Sequence, residues 1–177
     1  MRDFSPNRYE RAFESWLLDH HVRYVRSDEH RRLGPSYKGI KNFDFLLLPR
    51  PDRKVIVEVK GRTFAGTTLA GLTGLDCWVT LDDIESLQVW KQALGRDHEA
   101  VFVFAYHATQ ADVDFDGCDS AAFHLDRYVF FCIRLDDYVE HMKRRSPRWH
   151  TMTLPAESFR RCASSLSAFL AQAGTRS

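Results

Sequence analysis

Two apolar runs separated by a short polar break constrain this chain more than any other feature of it. Asn42-Phe43-Asp44-Phe45-Leu46-Leu47-Leu48 precedes Pro49-Arg50-Pro51-Asp52, and Lys54-Val55-Ile56-Val57-Glu58-Val59-Lys60 follows. Branched and aromatic runs on either side of a Pro/Asp turn predict a β-hairpin. Alternation sends Val55, Val57 and Val59 to one face and Ile56, Glu58 and Lys60 to the other. In the first strand it groups Phe43, Phe45 and Leu47, with Asp44 opposite beside Leu46 and Leu48. Two acids and a lysine thus sit in strands that otherwise read as buried. Burying any of them unpaired is costly, so each requires a partner, a metal or solvent.

The surroundings of the hairpin are mixed α/β. Tyr9, Ala12, Phe13, Trp16, Leu17 and His20 share a helical face, which predicts an amphipathic helix over 7–20, with Ser5 as N-cap and Pro6 at its start. A short strand is expected at 21–25, a basic loop at 26–39, and a Gly- and Thr-rich loop at 61–76. Thr80 is placed to cap a helix over 81–94 that Gly95 ends. The apolar runs at 100–106 and 128–135 predict strands, with an acidic loop at 112–119 between them. Helices are expected at 136–145 and 156–172. The order α-β-β-β-α-β-β-α-α describes one mixed α/β domain over 1–177, a usual length for a single core. No apolar run approaches the roughly 20 residues of a membrane helix. With no secretory-type start and no C-x-x-C pair among Cys77, Cys118, Cys132 and Cys162, reduced thiols and a cytoplasmic location are expected.

A net charge of +1 argues at first against a polyanionic partner, but it is a cancellation of blocks. Residues 1–62 hold 14 Lys and Arg against 9 Asp and Glu, residues 63–140 hold 4 against 14, and residues 141–177 hold 7 against 1. Two basic ends brought together would make one positive face for a phosphate backbone.

Read without function, Glu58 and Lys60 form a surface pair worth about 0–1 kcal/mol. Read for function, two hard carboxylates suit Mg²⁺ (or Mn²⁺), and a lysine two residues on, about 6–7 Å along the same face, would orient a water or stabilise negative charge. An Asp at the start of one hairpin strand followed by Glu-x-Lys on the next resembles the PD-(D/E)XK nuclease superfamily, with Asp44 and Glu58-Val59-Lys60 at the motif positions and Phe43 replacing its Pro. Glu10-Arg11-Ala12-Phe13-Glu14-Ser15-Trp16-Leu17 is similar to the first helix of archaeal Holliday-junction resolvases, where a Glu lies seven residues before a core Leu. That likeness selects Glu10 ahead of Glu14. Tyr9 to Glu14 also resembles an uncharacterised bacterial family named for an HYExAFE signature, with Arg8 in place of its His.

The resemblance implies a restriction-endonuclease-like α/β fold, an α-β-β-β-α-β core over about 7–106 and a β-α-α extension over about 107–177. It implies metal-dependent cleavage of DNA, with Asp44, Glu58, the Val59 carbonyl and Glu10 around the ion and Lys60 at the attacking water. It also implies a homodimer as a possible assembly. Gln88 occupies a position the superfamily often gives to a polar site residue. Arg62, Arg31, Arg32, Lys38 and Lys41 are placed to meet phosphates, and Tyr37 and Phe64 to stack on bases. Lys143-Arg144-Arg145-Ser146-Pro147-Arg148-Trp149 is a second basic and aromatic segment of that kind. The alternative is a nuclease-fold module that binds nucleic acid or protein without turnover.

Overall fold

The hairpin forms in the computed structural model, which describes residues 7–27 and 39–172, and it lies inside a larger sheet. Its strands are β2 (Phe45–Arg50) and β3 (Arg53–Phe64). With β1 (Tyr24–Arg26), β5 (His98–Ala108), β6 (Ser120–Phe123) and β7 (Asp126–Arg134) they make a six-stranded sheet in the order β1-β2-β3-β5-β7-β6. The β3–β5 pair is parallel and the others are antiparallel. Parallel pairing needs a crossover, supplied by β4 (Val79–Thr80) and α2 (Leu81–Leu94). The two sheet faces bury separate cores. Ala12, Phe13, Trp16 and Leu17 of α1 (Arg8–Asp19) pack on Val55, Val57 and Val59, whereas Ile84, Leu87 and Trp90 of α2 pack with Ile56 and Phe102. This is the mixed sheet flanked by helices that the motif implies.

Several local expectations change. Asn7 caps α1 by accepting from the Tyr9 and Glu10 backbone N–H groups; Ser5 and Pro6, like Arg31, Arg32, Tyr37 and Lys38, lie outside the described residues. Phe43 does not share a face with Phe45. The strand begins only after a bend at Asp44, so Phe43 turns to the α2 side and meets Trp90 edge-on at 5.1 Å. Phe64 is a core residue at 1% exposure, at the end of a β3 that runs past the expected loop start. The helix after β7 stops at His141 (α3, Leu135–His141), and Lys143–Ser146 is instead strand β8, paired with β9 (Thr151–Thr153) and through it with β4. The last helix is two, α4 (Ala156–Cys162) and α5 (Leu166–Ala171), because Ser164 leaves the helix to exchange backbone hydrogen bonds with Cys132. The segment after residue 107 also contributes β6 and β7 to the main sheet. Among the described residues no helix is long and apolar enough to cross a membrane.

Two contacts fix the frame around the hairpin. Arg53, 1% exposed, donates to Glu99 at 2.7 Å and to the carbonyls of Phe169, Leu170 and Gln172, so it satisfies the open end of α5. Gly61, next to Lys60, lies under the Tyr9 ring so closely that a Cβ there would fall 2.1 Å from a ring carbon. Only glycine permits this approach of α1 to β3, and it sets the position of Glu10, one residue beyond Tyr9.

Gly61→Ala therefore forces α1 outward and should cost about 1–3 kcal/mol in denaturant unfolding, as overpacking does. Removing the ring with Tyr9→Ala should make the second substitution markedly cheaper. Equal costs in both backgrounds would show that the close approach carries no constraint.

Candidate active site

Antiparallel register places Asp44 opposite Glu58, since Phe45 pairs with Val57. The bend turns the Asp44 carboxylate along β3, where its Oδ2 accepts from the Val59 N–H at 2.7 Å. Its backbone is held on both sides: its N–H donates to Val57 O at 2.9 Å and its carbonyl accepts from Ser27 N at 2.9 Å. Burial pushes the Asp44 carboxyl well above the ordinary range, and the charges of Glu58 and Glu10 push it further. The Val59 N–H and Lys60 oppose this without reversing it. Asp44 thus feels acids from two other parts of the chain.

Glu58 is also raised, by burial first, although Lys60 opposes the shift. Lys60 Nζ lies 2.8 Å from Glu58 Oε1 and 3.0 Å from Asp83 Oδ2, with side-chain exposures of only 16%, 15% and 7%. Burial alone would lower the Lys60 pKa, but the two carboxylates hold it above the ordinary lysine value. Lys60 is a fixed cation. It is suited to orienting a ligand or stabilising charge and unsuited to accepting a proton.

Asp83 is not among the residues the sequence motif selects. It reaches the cluster because α2 begins with a capping box: Thr80 Oγ1 accepts from the Asp83 N–H, and Asp83 Oδ2 accepts from the Thr80 N–H. Lys41 Nζ meets the other oxygen at 3.2 Å, and burial is outweighed by these partners, so the Asp83 pKa falls to about 2. The signal was present, a T-x-x-D start whose Asp lies four residues before core Leu87. Gln88 does not join this cluster. It is exposed on α2 and lines a different cavity with Val89, Gln92 and Arg96.

Glu10 and Glu14 separate clearly. Glu14 Oε1 accepts from Tyr24 Oη at 2.8 Å and Arg26 Nε at 2.9 Å, and despite burial these bonds hold its pKa below the ordinary value. Glu10 hydrogen-bonds Asn7 at 2.6 Å, lies 3.8 Å from Arg26, and contributes to the field on Asp44. Lys41, half exposed, anchors Asp83. Arg62, on the face of Lys60, donates to the carbonyls of Gly61 and Trp78 and stacks 3.8 Å over the Trp78 ring.

The donor set suits a hard divalent cation, because carboxylate oxygens that repel one another in a partly buried site lose that repulsion when a cation enters. Among the described residues, no three His, Cys, Asp or Glu side chains already stand in a metal-holding arrangement, and Glu58 is engaged by Lys60.

Asp44 and Asp83 should respond to pH with opposite signs. A raised carboxyl binds more protons folded than unfolded, so its contribution to stability falls as pH rises above the ordinary 3.8. In chelator, Asp44→Asn should stabilise the protein at neutral pH and lose that advantage below the ordinary value. Asp83, depressed to about 2, contributes stability above pH 3.8 that is lost as pH falls through about 2. Asp83→Asn should cost on the order of 2 kcal/mol at neutral pH. Denaturant unfolding from pH 2 to 8 checks both, and a destabilising Asp44→Asn would contradict the crowding.

No protein-family model matches the sequence, and comparison with curated proteins finds no match. The likeness of Tyr9–Glu14 to the HYExAFE signature therefore rests on those residues alone. Among solved structures, the chain is similar to Hjc, a Holliday junction resolvase from the archaeal hyperthermophile Archaeoglobus fulgidus, at 12% identity and a TM-score of 0.53. The match covers 94% of this chain and 98% of the resolvase. The chain has the fold of that nuclease, the fold which the hairpin motif implies.

Proposed function

We propose that the chain is a divalent-metal-dependent nuclease that hydrolyses phosphodiester bonds in DNA. The observation that carries the reading is the burial of Asp44 and Glu58 beside a lysine that remains charged, with Glu58 and Glu10 raising Asp44 further. Asp44, Glu58 and the Val59 carbonyl would hold Mg²⁺ or Mn²⁺, with Glu10 completing the shell. Bound there, the ion would supply a polarised phosphoryl oxygen and a more acidic water. Lys60 orients the water and offsets the negative charge that develops on phosphorus. Asp83 keeps the Lys60 ammonium on the hairpin face, and Lys41 and Arg62 meet the flanking phosphates. Gln88 drops out of the assignment because it is exposed at another cavity. Cleavage to 5′-phosphate and 3′-hydroxyl ends is what the superfamily resemblance implies, and the fold of a Holliday junction resolvase supports a branched DNA among the substrates to test.

One observation favours a second reading, a nuclease-fold module that binds without turnover. Lys60 already closes an ion pair on Glu58 and Asp83, so a cation must compete for Glu58.

Incubation with nicked, branched and single-stranded DNA, and with RNA, in Mg²⁺ or Mn²⁺ decides between them. Cleavage of DNA is expected, reduced by about 100-fold or more in Asp44→Ala and Lys60→Ala, as for removal of a charge-stabilising group. Absence of cleavage on every substrate, or full cleavage by Asp44→Ala, would exclude the nuclease reading.

A further inference from the structure

The β8–β9 hairpin brings the second basic segment of the sequence to the edge of the candidate site. β9 pairs with β4, which runs directly into α2, and the Leu81 N–H donates to His150 O at 2.9 Å. The hairpin turn therefore adjoins the α2 start that carries Asp83. A second link runs along β3, where Arg62 lies two residues past Lys60 on the same face, about 6–7 Å further on. The Arg62 guanidinium lies 3.8 Å from the Trp78 ring centre, and the Arg145 guanidinium lies 5.2 Å from the same ring. Arg145 reaches it because the β8 register shifts between Arg144 and Ser146, a bulge that re-aims the extra side chain. Lys60, Arg62, Trp78 and Arg145 form a continuous track leading from the acidic cluster onto the hairpin.

This track has unmet chemistry. Lys143, Arg144, Arg145 and Arg148 are all exposed, and among the described residues none pairs with a carboxylate. Arg62 likewise has no carboxylate at ion-pair distance among them, its guanidinium donating to the carbonyls of Gly61 and Trp78. Trp149 is 65% exposed at the turn, and among the described residues its ring meets only the Arg148 guanidinium, at 5.0 Å. Guanidiniums alone would fit the outside of any duplex. An uncovered indole among them fits an unpaired base, whose free face is available for stacking.

We infer that the β8–β9 hairpin is a docking surface for a single-stranded nucleic-acid segment, its phosphates on Arg144, Arg145 and Arg62 and a base on Trp149. The inference rests on the proposed function for the strand's approach to the site, but the binding itself requires neither metal nor turnover. It deepens that function by naming the substrate class: DNA with an unpaired flank next to the cleaved bond.

Fluorescence anisotropy of the full chain in chelator tests it, with a labelled thymidine oligonucleotide and a duplex of equal length. The single strand should bind more tightly. Trp149→Ala should weaken the single strand by about 5-fold or more and leave the duplex little changed. Arg144→Gln with Arg145→Gln should weaken binding and lower the log–log salt slope by about 1.4, at about 0.7 per phosphate released. All three substituted residues are exposed, so unchanged melting temperatures are expected alongside. Single-strand affinity and salt slope unchanged in these variants would overturn the inference, as would equal binding of duplex and single strand. Asp44→Ala should retain the binding, and absence of cleavage by the unsubstituted protein with intact binding would remove the nuclease reading alone.

Discussion

The ammonium of Lys60, held between Glu58 and Asp83, ties the two halves of the site together. It joins the central strand to the first turn of α2, and Asp83 can serve both because the capping box fixes its carboxylate at the helix start. Without that cation, three acids would face one another beneath a helix. With it, Asp44 and Glu58 still remain above their ordinary values, through burial first and, for Asp44, through the charges of Glu58 and Glu10. A structural ion-pair network would hold every carboxylate below its ordinary value, as Glu14 and Glu99 are held. The difference separates the candidate site from the other charge clusters of the molecule.

The fold frames this imbalance from both faces of the sheet. On one, Gly61 lets Tyr9 lie against the backbone beside Lys60 and so brings α1 and Glu10 near Asp44. On the other, Phe43 leaves the strand pattern to pack on Trp90, whose indole N–H donates to Lys41 O at 2.8 Å. That departure produces the bend that aims Asp44 at the Val59 N–H. The irregular residue and the site residue are consecutive, and the same local break explains both.

The hairpin, α2 with its Thr80 and Gly95 boundaries, and the buried strands were legible because periodicity and end signals agreed there. Alternation misplaces Phe43 because it holds only where the strand exists. In sequence β8 continues the preceding helix, because a run of long basic side chains has no period to oppose that helical propensity, and only pairing with β9 makes it a strand. The last helix shows an unbroken apolar stripe in sequence, yet its break at Ser164 depends on Cys132, 32 residues away. The charge blocks are plain in the sequence, but composition does not say where the ends meet. Arg62 and Arg145 on the ring of Trp78 supply that meeting point.

The central claim is that the crowded carboxylates form a cation site, and calorimetric titration of the metal-free protein with Mn²⁺ tests it without any substrate. The account predicts one site whose affinity falls as pH is lowered, because the ion must displace the proton that burial and the neighbouring acids favour on Asp44. Asp44→Asn and Glu58→Gln should each weaken binding by at least about 10-fold, the loss typical of removing a charged ligand, while Glu14→Gln leaves it unchanged. No heat of binding in the wild-type protein, or binding that survives both Asp44→Asn and Glu58→Gln, would contradict it.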